Sequence, residues 1–222
     1  MKQFSIAIDG PAGAGKSSIA KELAKHLECI YIDTGAMYRS VGLGAILQGL
    51  DYQDEEAVSL LMPNLEIKLK MSEEGQQIYL NGENVSTKIR NDEVAAAASR
   101  VATYAKVREA LVESQRAMKN ETSVVMDGRD IGTVVMPNAT LKIYLTASVN
   151  ERALRRFKEY EAKGITVDLA VLSEEIAARD KQDMERKISP LKKADDAVEI
   201  DTTYMTIDEI VEKIIVLLKE RL

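Results

Sequence analysis

The sequence predicts an α/β fold in which helices cover both faces of a mainly parallel sheet. Short apolar segments typical of strands alternate with longer segments of helical periodicity, which is the pattern of such a sheet. One segment with the apolar–polar alternation of antiparallel strands interrupts this order. The length of 222 residues suits one globular domain with a small insertion, so we expect residues 1–222 to form a single domain.

The first strands and helices follow in regular alternation. Residues 3–9 are expected to form a buried strand, and residues 16–27 a helix with one apolar face. A short second strand is expected over 30–32. Helices are then expected over 36–50 and 54–62, the second of which Pro63 closes.

The insertion begins after this point. Residues 65–71 alternate apolar and charged side chains, and residues 76–80 lead into Asn81-Gly82, a strong signal for a two-residue hairpin turn. These features predict a small antiparallel sheet inside an inserted subdomain over about 64–90.

The second half returns to strand and helix alternation. Helices are expected over 91–119 (as one or two helices), 149–162, 168–186 and 206–221. Strands are expected over 123–127, 141–145 and 197–201.

Composition limits the classes of function. The formal net charge is −6, so binding of nucleic acid or of an anionic membrane by bulk electrostatics is disfavoured. An anionic ligand must instead meet basic groups gathered at one place. The single cysteine excludes an intrachain disulfide. The sequence shows no signal-peptide pattern and no apolar stretch long enough to span a bilayer, so a cytoplasmic location is expected.

A glycine-rich motif follows the first predicted strand. Residues 10–17, GPAGAGKS, fit the pattern G-x-x-x-x-G-K-[ST], and a predicted helix follows. Its glycines allow backbone N–H groups to surround phosphate oxygens, while Lys16 can reach the β- and γ-phosphates and Ser17 can hold Mg²⁺. The alternative is a glycine-rich turn that binds nothing. Residues expected to bind the nucleotide are Gly10, Pro11, Ala12, Gly13, Ala14, Gly15, Lys16, Ser17 and Ser18.

Two further polar clusters follow predicted strands. Residues 33–39, DTGAMYR, and residues 127–133, DGRDIGT, each contain an arginine. Ligands of open α/β sheets bind beyond the carboxyl ends of the strands, so both clusters are candidates for a second ligand site. Ordinary loop turns are the alternative. The chain has no Asn-Lys pair, which disfavours a GTPase of the type that reads guanine with Asn-Lys-x-Asp.

The remaining arginines lie in the predicted helices of the second half. Arg152 and Arg156 share a helical face with the intervening Arg155, and Arg179 shares one with Asp183 and Arg186. A solvated basic stripe and an intrahelical salt bridge are the ordinary explanations. Beside a phosphate-binding motif, fixed guanidinium groups that neutralise phosphates are the other explanation.

These segments together resemble bacterial cytidylate kinases of the nucleoside monophosphate kinase group. The resemblance rests on IDGPAGAGKS, DTGAMYR, AAAASRVATYAKVREAL, MDGRDIGTVV, ERALRR, ARDKQDMERKISPL and DDAVEIDTT, which run along nearly the whole chain. It implies a P-loop kinase core with a five-stranded parallel sheet, the small antiparallel insertion in the monophosphate-binding region, and a short lid over about 150–167. It also implies a cytoplasmic monomer of pyrimidine metabolism that phosphorylates CMP and dCMP with ATP and Mg²⁺.

The resemblance also implies residue roles. Arg39, Arg129 and Arg186 would hold the acceptor phosphate. Ser99, Arg108 and Asp130 would read cytosine, whereas Thr34, Arg179 and Asp183 would meet the sugar. Arg152 and Arg156 would cover the ATP phosphates. A kinase for another acceptor, and an ATP-binding switch without catalysis, remain the alternatives from the residues alone.

Overall fold

The computed structural model describes residues 3–72, 75–118 and 122–222. The chain folds as two compact units, Met1–Tyr31 with Thr122–Leu222 and Ile32–Glu121. Strands and helices are numbered along the chain, and each unit is described by itself. No helix in the described ranges is both long and apolar enough to cross a membrane.

A five-stranded sheet carries the first unit. Its strands are β1 (Ser5–Asp9), β2 (Ile30–Asp33), β6 (Val124–Gly128), β7 (Leu141–Thr146) and β8 (Val198–Asp201), in the order β2-β6-β1-β7-β8. The central strand β1 pairs in parallel with β6 and with β7, and β7 pairs in parallel with β8. The predicted parallel sheet is confirmed. Because β1, β6 and β7 end at one edge, the segments that follow them emerge close together.

Helices flank this sheet. They are α1 (Lys16–His26), α6 (Val149–Ala162), α7 (Leu169–Glu185) and α8 (Ile207–Lys219). Apolar side chains of α1 and α8 join those of the sheet in one buried core that includes Ile8, Leu23 and Ile214. The predicted start of the last helix is confirmed, since Thr206 and Glu209 form a reciprocal capping box. This packing fixes the start of α1, and with it the glycine-rich motif.

The second unit contains helices and the inserted sheet. Its helices are α2 (Thr34–Leu47), α3 (Glu55–Leu61), α4 (Asp92–Val101) and α5 (Ala105–Met118), so the segment 91–119 holds two helices within its described part. Strands β3 (Ile67–Ser72), β4 (Gly75–Leu80) and β5 (Glu83–Asn84) form the predicted antiparallel sheet. Asn81 and Gly82 have φ of +49° and +84°, as the predicted hairpin turn requires.

Candidate nucleotide phosphate site

The glycine-rich motif forms a tight loop between β1 and α1. Gly10, Gly13 and Gly15 have φ of +149°, +76° and +84°, which side chains rarely adopt. A Cβ at Gly10 would lie 2.1 Å from the carbonyl oxygen of Leu145, so only glycine fits there. Gly15 is the N-cap of α1, whose first N–H groups therefore face the loop. The loop and the helix dipole together suit a phosphate anion.

Lys16 is the first residue of α1 and is almost fully buried. Its Nζ donates a hydrogen bond to the carbonyl oxygen of Pro11 at 2.7 Å. Burial, and then the positive charge of Arg129, lower the pKa of Lys16 to about 7. A phosphate oxygen could replace this carbonyl as the acceptor of the hydrogen bond from Lys16.

Ser17 contacts a carboxylate that sequence reasoning missed as a functional residue. Its Oγ donates to Oδ2 of Asp127 at 2.9 Å, and Asp127 is buried near the carboxyl end of β6. The sequence places Asp127 in the 127–133 cluster but predicts no role for it. The signal was an aspartate that ends the apolar run SVVMD.

The pair formed by Ser17 and Asp127 fits a divalent cation. A hydroxyl oxygen and a carboxylate are the hard oxygen donors that Mg²⁺ prefers, and phosphate oxygens of a nucleotide complete such a site. In the described part of the chain, no group of three or more His, Cys, Asp or Glu residues could hold a metal by itself.

Asp9 ties the glycine-rich motif to the cluster after β6. This buried carboxylate accepts hydrogen bonds from the backbone N–H groups of Ile131 and Gly132 at 2.8 and 2.7 Å. These amides begin one turn of π-helix over Ile131–Val135. Burial raises the pKa of Asp9 to about 6, although both amides oppose that change. The residues before this turn, Arg129 and Asp130, are thereby held at the edge of the sheet.

A cluster of arginines and aspartates forms around Arg129. Its Nε donates to Oδ2 of Asp183 at 2.8 Å, and Arg186 lies 3.8 Å from the other oxygen of Asp183 and 3.6 Å from Asp130. Although burial opposes the change, the guanidinium of Arg129 lowers the pKa of Asp183. The cluster brings together four predicted substrate residues from two distant segments.

The intrahelical salt bridge that would explain Arg179, Asp183 and Arg186 takes a different form in the structure. Helix α7 ends at Glu185, so Arg186 lies just beyond it, and its Nε donates to the carbonyl oxygen of Ser189 at 2.6 Å. The shorter contact of Asp183 is with Arg129, which follows β6. Arg179 lies on α7, one turn before Asp183. Pairing across segments fixes the guanidinium groups more firmly than a flexible pair on one helix.

Arg152 is not part of a solvated stripe, and that explanation is wrong for it. Only 3% of the residue is exposed. Its guanidinium donates to the carbonyl oxygens of Ala147 and Ala12, both at 2.9 Å, and to both oxygens of Asp180 on α7. A Cβ at Gly13 would lie 3.2 Å from the Cβ of Arg152. Arg152 therefore packs against the glycine-rich loop.

The other arginines of α6 differ from Arg152. Arg156 donates to the hydroxyl of Tyr160 at 3.0 Å, and its guanidinium lies 5.5 Å from the centre of that ring. Arg155 pairs with Glu151 and donates to the carbonyl oxygen of Thr202 at 2.7 Å.

Four predicted substrate residues lie in the second unit. Thr34 is buried at the start of α2, and Arg39 pairs at 3.0 Å with Asp33, which caps that helix. Arg108 is buried on α5, where it donates to the carbonyl oxygen of Ala102 at 3.1 Å. Ser99 is half-buried on α4. Within this unit, both arginines are thus held by partners before any ligand binds.

Known proteins resemble this chain over nearly its full length. The family model described as cytidylate kinase matches residues 6–220. A cytidylate kinase of Exiguobacterium sibiricum is 53% identical over 96% of each chain. Those of Bacillus licheniformis and Geobacillus kaustophilus are 54% and 51% identical, over 96% and 100% of this chain and 95% and 99% of theirs.

Solved structures extend the likeness to the fold. Shikimate kinase from Acinetobacter baumannii matches with a TM-score of 0.50 at 14% identity, over 99% of this chain and 94% of that one. A gluconokinase from Sinorhizobium meliloti gives 0.50 at 13% identity, over 98% and 93%. At identities of 13% and 14%, this structural likeness shows the P-loop kinase fold alone. The match of the family model and the close relatives show more, namely that this chain is an enzyme of the cytidylate kinase family.

Proposed function

We propose that this protein transfers the γ-phosphoryl group of ATP to CMP or dCMP in one in-line step, which yields ADP and CDP or dCDP. Its family and the geometry of the first unit support this. The observation that carries most weight is the hydrogen bond of Ser17, the neighbour of Lys16, to Asp127, which lies two residues before Arg129. A donor phosphate on Lys16 and an acceptor phosphate on Arg129 would then be neighbours.

Mg²⁺ is proposed to bind with ATP at Ser17. The Ser17 hydroxyl would be a direct ligand, and Oδ2 of Asp127 would accept a hydrogen bond from that hydroxyl, as it does at 2.9 Å in the structure. The ion would supply positive charge to the β- and γ-phosphate oxygens. Lys16 would exchange its hydrogen bond to the carbonyl of Pro11 for hydrogen bonds to phosphate oxygens.

The acceptor phosphate is proposed to bind to Arg129, Arg186 and Arg39. Asp183 holds both Arg129 and Arg186, so their charges are fixed before substrate arrives. Preorganised charge requires little rearrangement as negative charge spreads over the transferring oxygens. The attacking oxygen belongs to an ionised phosphate, so no strong general base is needed.

Cytosine is proposed to be read partly by Asp130, whose carboxylate would accept a hydrogen bond from the N4 amino group. Uracil has a carbonyl oxygen at C4, which would repel the same carboxylate. Ser99 and Arg108 are proposed for the other polar atoms of the base. Thr34, Arg179 and Asp183 are proposed for the sugar.

The segment 150–167 is proposed as a lid whose Arg152 and Arg156 act on the ATP phosphates. Arg152 already touches the loop that would hold these phosphates, through the carbonyl oxygen of Ala12. Arg156 is proposed to release Tyr160 when it turns toward the nucleotide. Closure of a lid excludes water, which limits hydrolysis of ATP.

The test is release of ADP by the purified protein with Mg²⁺, ATP and one acceptor at a time: CMP, dCMP, UMP, AMP or GMP. We expect kcat/KM to be highest for CMP or dCMP. The matched control is Lys16→Met, which keeps an unbranched apolar side chain at this buried position but removes the charge, and which should lose activity with every acceptor. A higher kcat/KM for UMP, AMP or GMP than for CMP and dCMP would overturn the proposal.

A further inference from the structure

A buried tyrosine contacts the carboxylate that faces Ser17. The hydroxyl of Tyr31 donates to Oδ1 of Asp127 at 2.8 Å, while Ser17 donates to Oδ2. Each oxygen of this carboxylate therefore has its own side-chain donor.

Packing explains the ring of Tyr31 but not the place of its hydroxyl. The ring belongs to the main core of the first unit, where phenylalanine would fill the same volume. A buried tyrosine hydroxyl needs a partner, and backbone carbonyls often serve. Tyr104 shows this ordinary arrangement, because its hydroxyl lies 2.9 and 2.8 Å from the carbonyl oxygens of Tyr52 and Gln53. The hydroxyl of Tyr31 meets the carboxylate of the phosphate site instead.

We propose that Tyr31 is a positioning residue for the metal–nucleotide site. The terminal torsion of an aspartate is soft, so a carboxylate held at one oxygen can rotate away. The hydrogen bond from Tyr31 fixes Oδ1 and thereby keeps Oδ2 on the hydroxyl of Ser17. With its proton held by Oδ2, the Ser17 hydroxyl would keep its lone pairs available to Mg²⁺. This inference rests on the proposed function, because it requires Mg²⁺ at Ser17.

The affinity for ADP with and without metal provides a readout that does not depend on turnover. The Kd for ADP is measured by calorimetry with excess Mg²⁺ and again with EDTA. The ratio of the Kd in EDTA to the Kd with Mg²⁺ reports how much the metal strengthens binding of the nucleotide. Loss of an outer partner of a metal ligand typically costs about 10–100-fold in metal affinity. For Tyr31→Phe we expect the ratio to fall about tenfold, while the Kd in EDTA stays the same.

Four control variants separate the possible outcomes. Tyr104→Phe removes a buried hydroxyl that bonds to two backbone carbonyls and to Arg100, and it should leave the ratio unchanged. Ser17→Ala should lower the ratio. Asp127→Asn should lower it too, and adding Tyr31→Phe to Asp127→Asn should cause little further loss, because the hydroxyl acts through that carboxylate.

The inference fails if Tyr31→Phe leaves the ratio unchanged while Ser17→Ala lowers it. It also fails if Tyr31→Phe weakens ADP binding equally with and without Mg²⁺, since that result shows a purely structural role. If Ser17→Ala leaves the ratio unchanged, the proposed metal site is wrong, and the role of Tyr31 falls with it. The thermal midpoint of each variant establishes that it is folded.

Discussion

Binding of ATP at pH 8 is expected to transfer a proton from the buffer to Lys16. The buried amine has a pKa of about 7, so at pH 8 only about one molecule in eleven carries the charge. A bound triphosphate returns the pKa of Lys16 well above 8, because opposite charges favour the protonated form. Uptake is therefore about 0.9 proton per site at pH 8 and about 0.5 at pH 7. The nucleotide contributes little at pH 8, since phosphates with a pKa of about 6 are already ionised.

Calorimetric titration with a non-hydrolysable ATP analogue and Mg²⁺ measures this uptake. The observed enthalpy is plotted against the ionisation enthalpy of several buffers at pH 8, and the slope is the number of protons taken up. Lys16→Met is the matched control and should give a slope near zero if it retains binding. A slope near zero in the unchanged protein, or an equal slope in the variant, would refute the buried, largely neutral lysine. The same shift makes the free energy of unfolding rise with pH above about 7, because the unfolded chain binds more protons there.

Three further substitutions test other parts of the site. Gly10→Ala should abolish binding of the ATP analogue and lower the thermal midpoint, because its Cβ would lie 2.1 Å from the carbonyl oxygen of Leu145; normal affinity would contradict this. Asp180→Ala leaves the buried guanidinium of Arg152 without its carboxylate and should cost about 3–5 kcal/mol in urea unfolding, so a loss below about 1 kcal/mol would show that the pair is weak. Asp130→Ala should lower the ratio of kcat/KM for CMP to that for UMP while the KM for ATP is kept, and an unchanged ratio would remove Asp130 from the reading of cytosine.

Features that depend on neighbouring residues could be predicted from the sequence. The glycine-rich loop is one, because the motif, the strand before it and the helix after it are contiguous. The hairpin at Asn81-Gly82 is another, since few residue pairs adopt two positive φ angles easily. The alternation of strands and helices was sufficient to predict the parallel sheet, although helix ends shifted by one to three residues, as at Leu47 and Glu185.

Contacts between distant segments could not be predicted in this way. The partners of Asp127 are 110 residues away at Ser17 and 96 residues away at Tyr31, and no periodicity relates these positions. Arg152 resembled a solvated arginine because no acid stands one turn from it, yet its partner Asp180 lies on the next helix. Pairing of helices decides such contacts, and it depends on packing over whole surfaces. The family resemblance named Asp130 and Asp183 as contacts of the base and the sugar, not as partners of arginines, and it did not name Asp180.

The hydrogen bonds of Asp9 have a consequence for amide exchange with deuterated solvent. The N–H groups of Ile131 and Gly132 are both held by this one side chain, 122 and 123 residues away in sequence. Neither amide can exchange until the end of β1 separates from the turn after β6, so we expect the two protons to exchange together and slowly. Asp9 directly precedes Gly10, the first residue of the glycine-rich loop. An opening that breaks the hydrogen bonds of Asp9 therefore also releases the start of this loop. Exchange at these two amides is therefore a reporter of the rigidity of the loop, and a bound nucleotide should slow it.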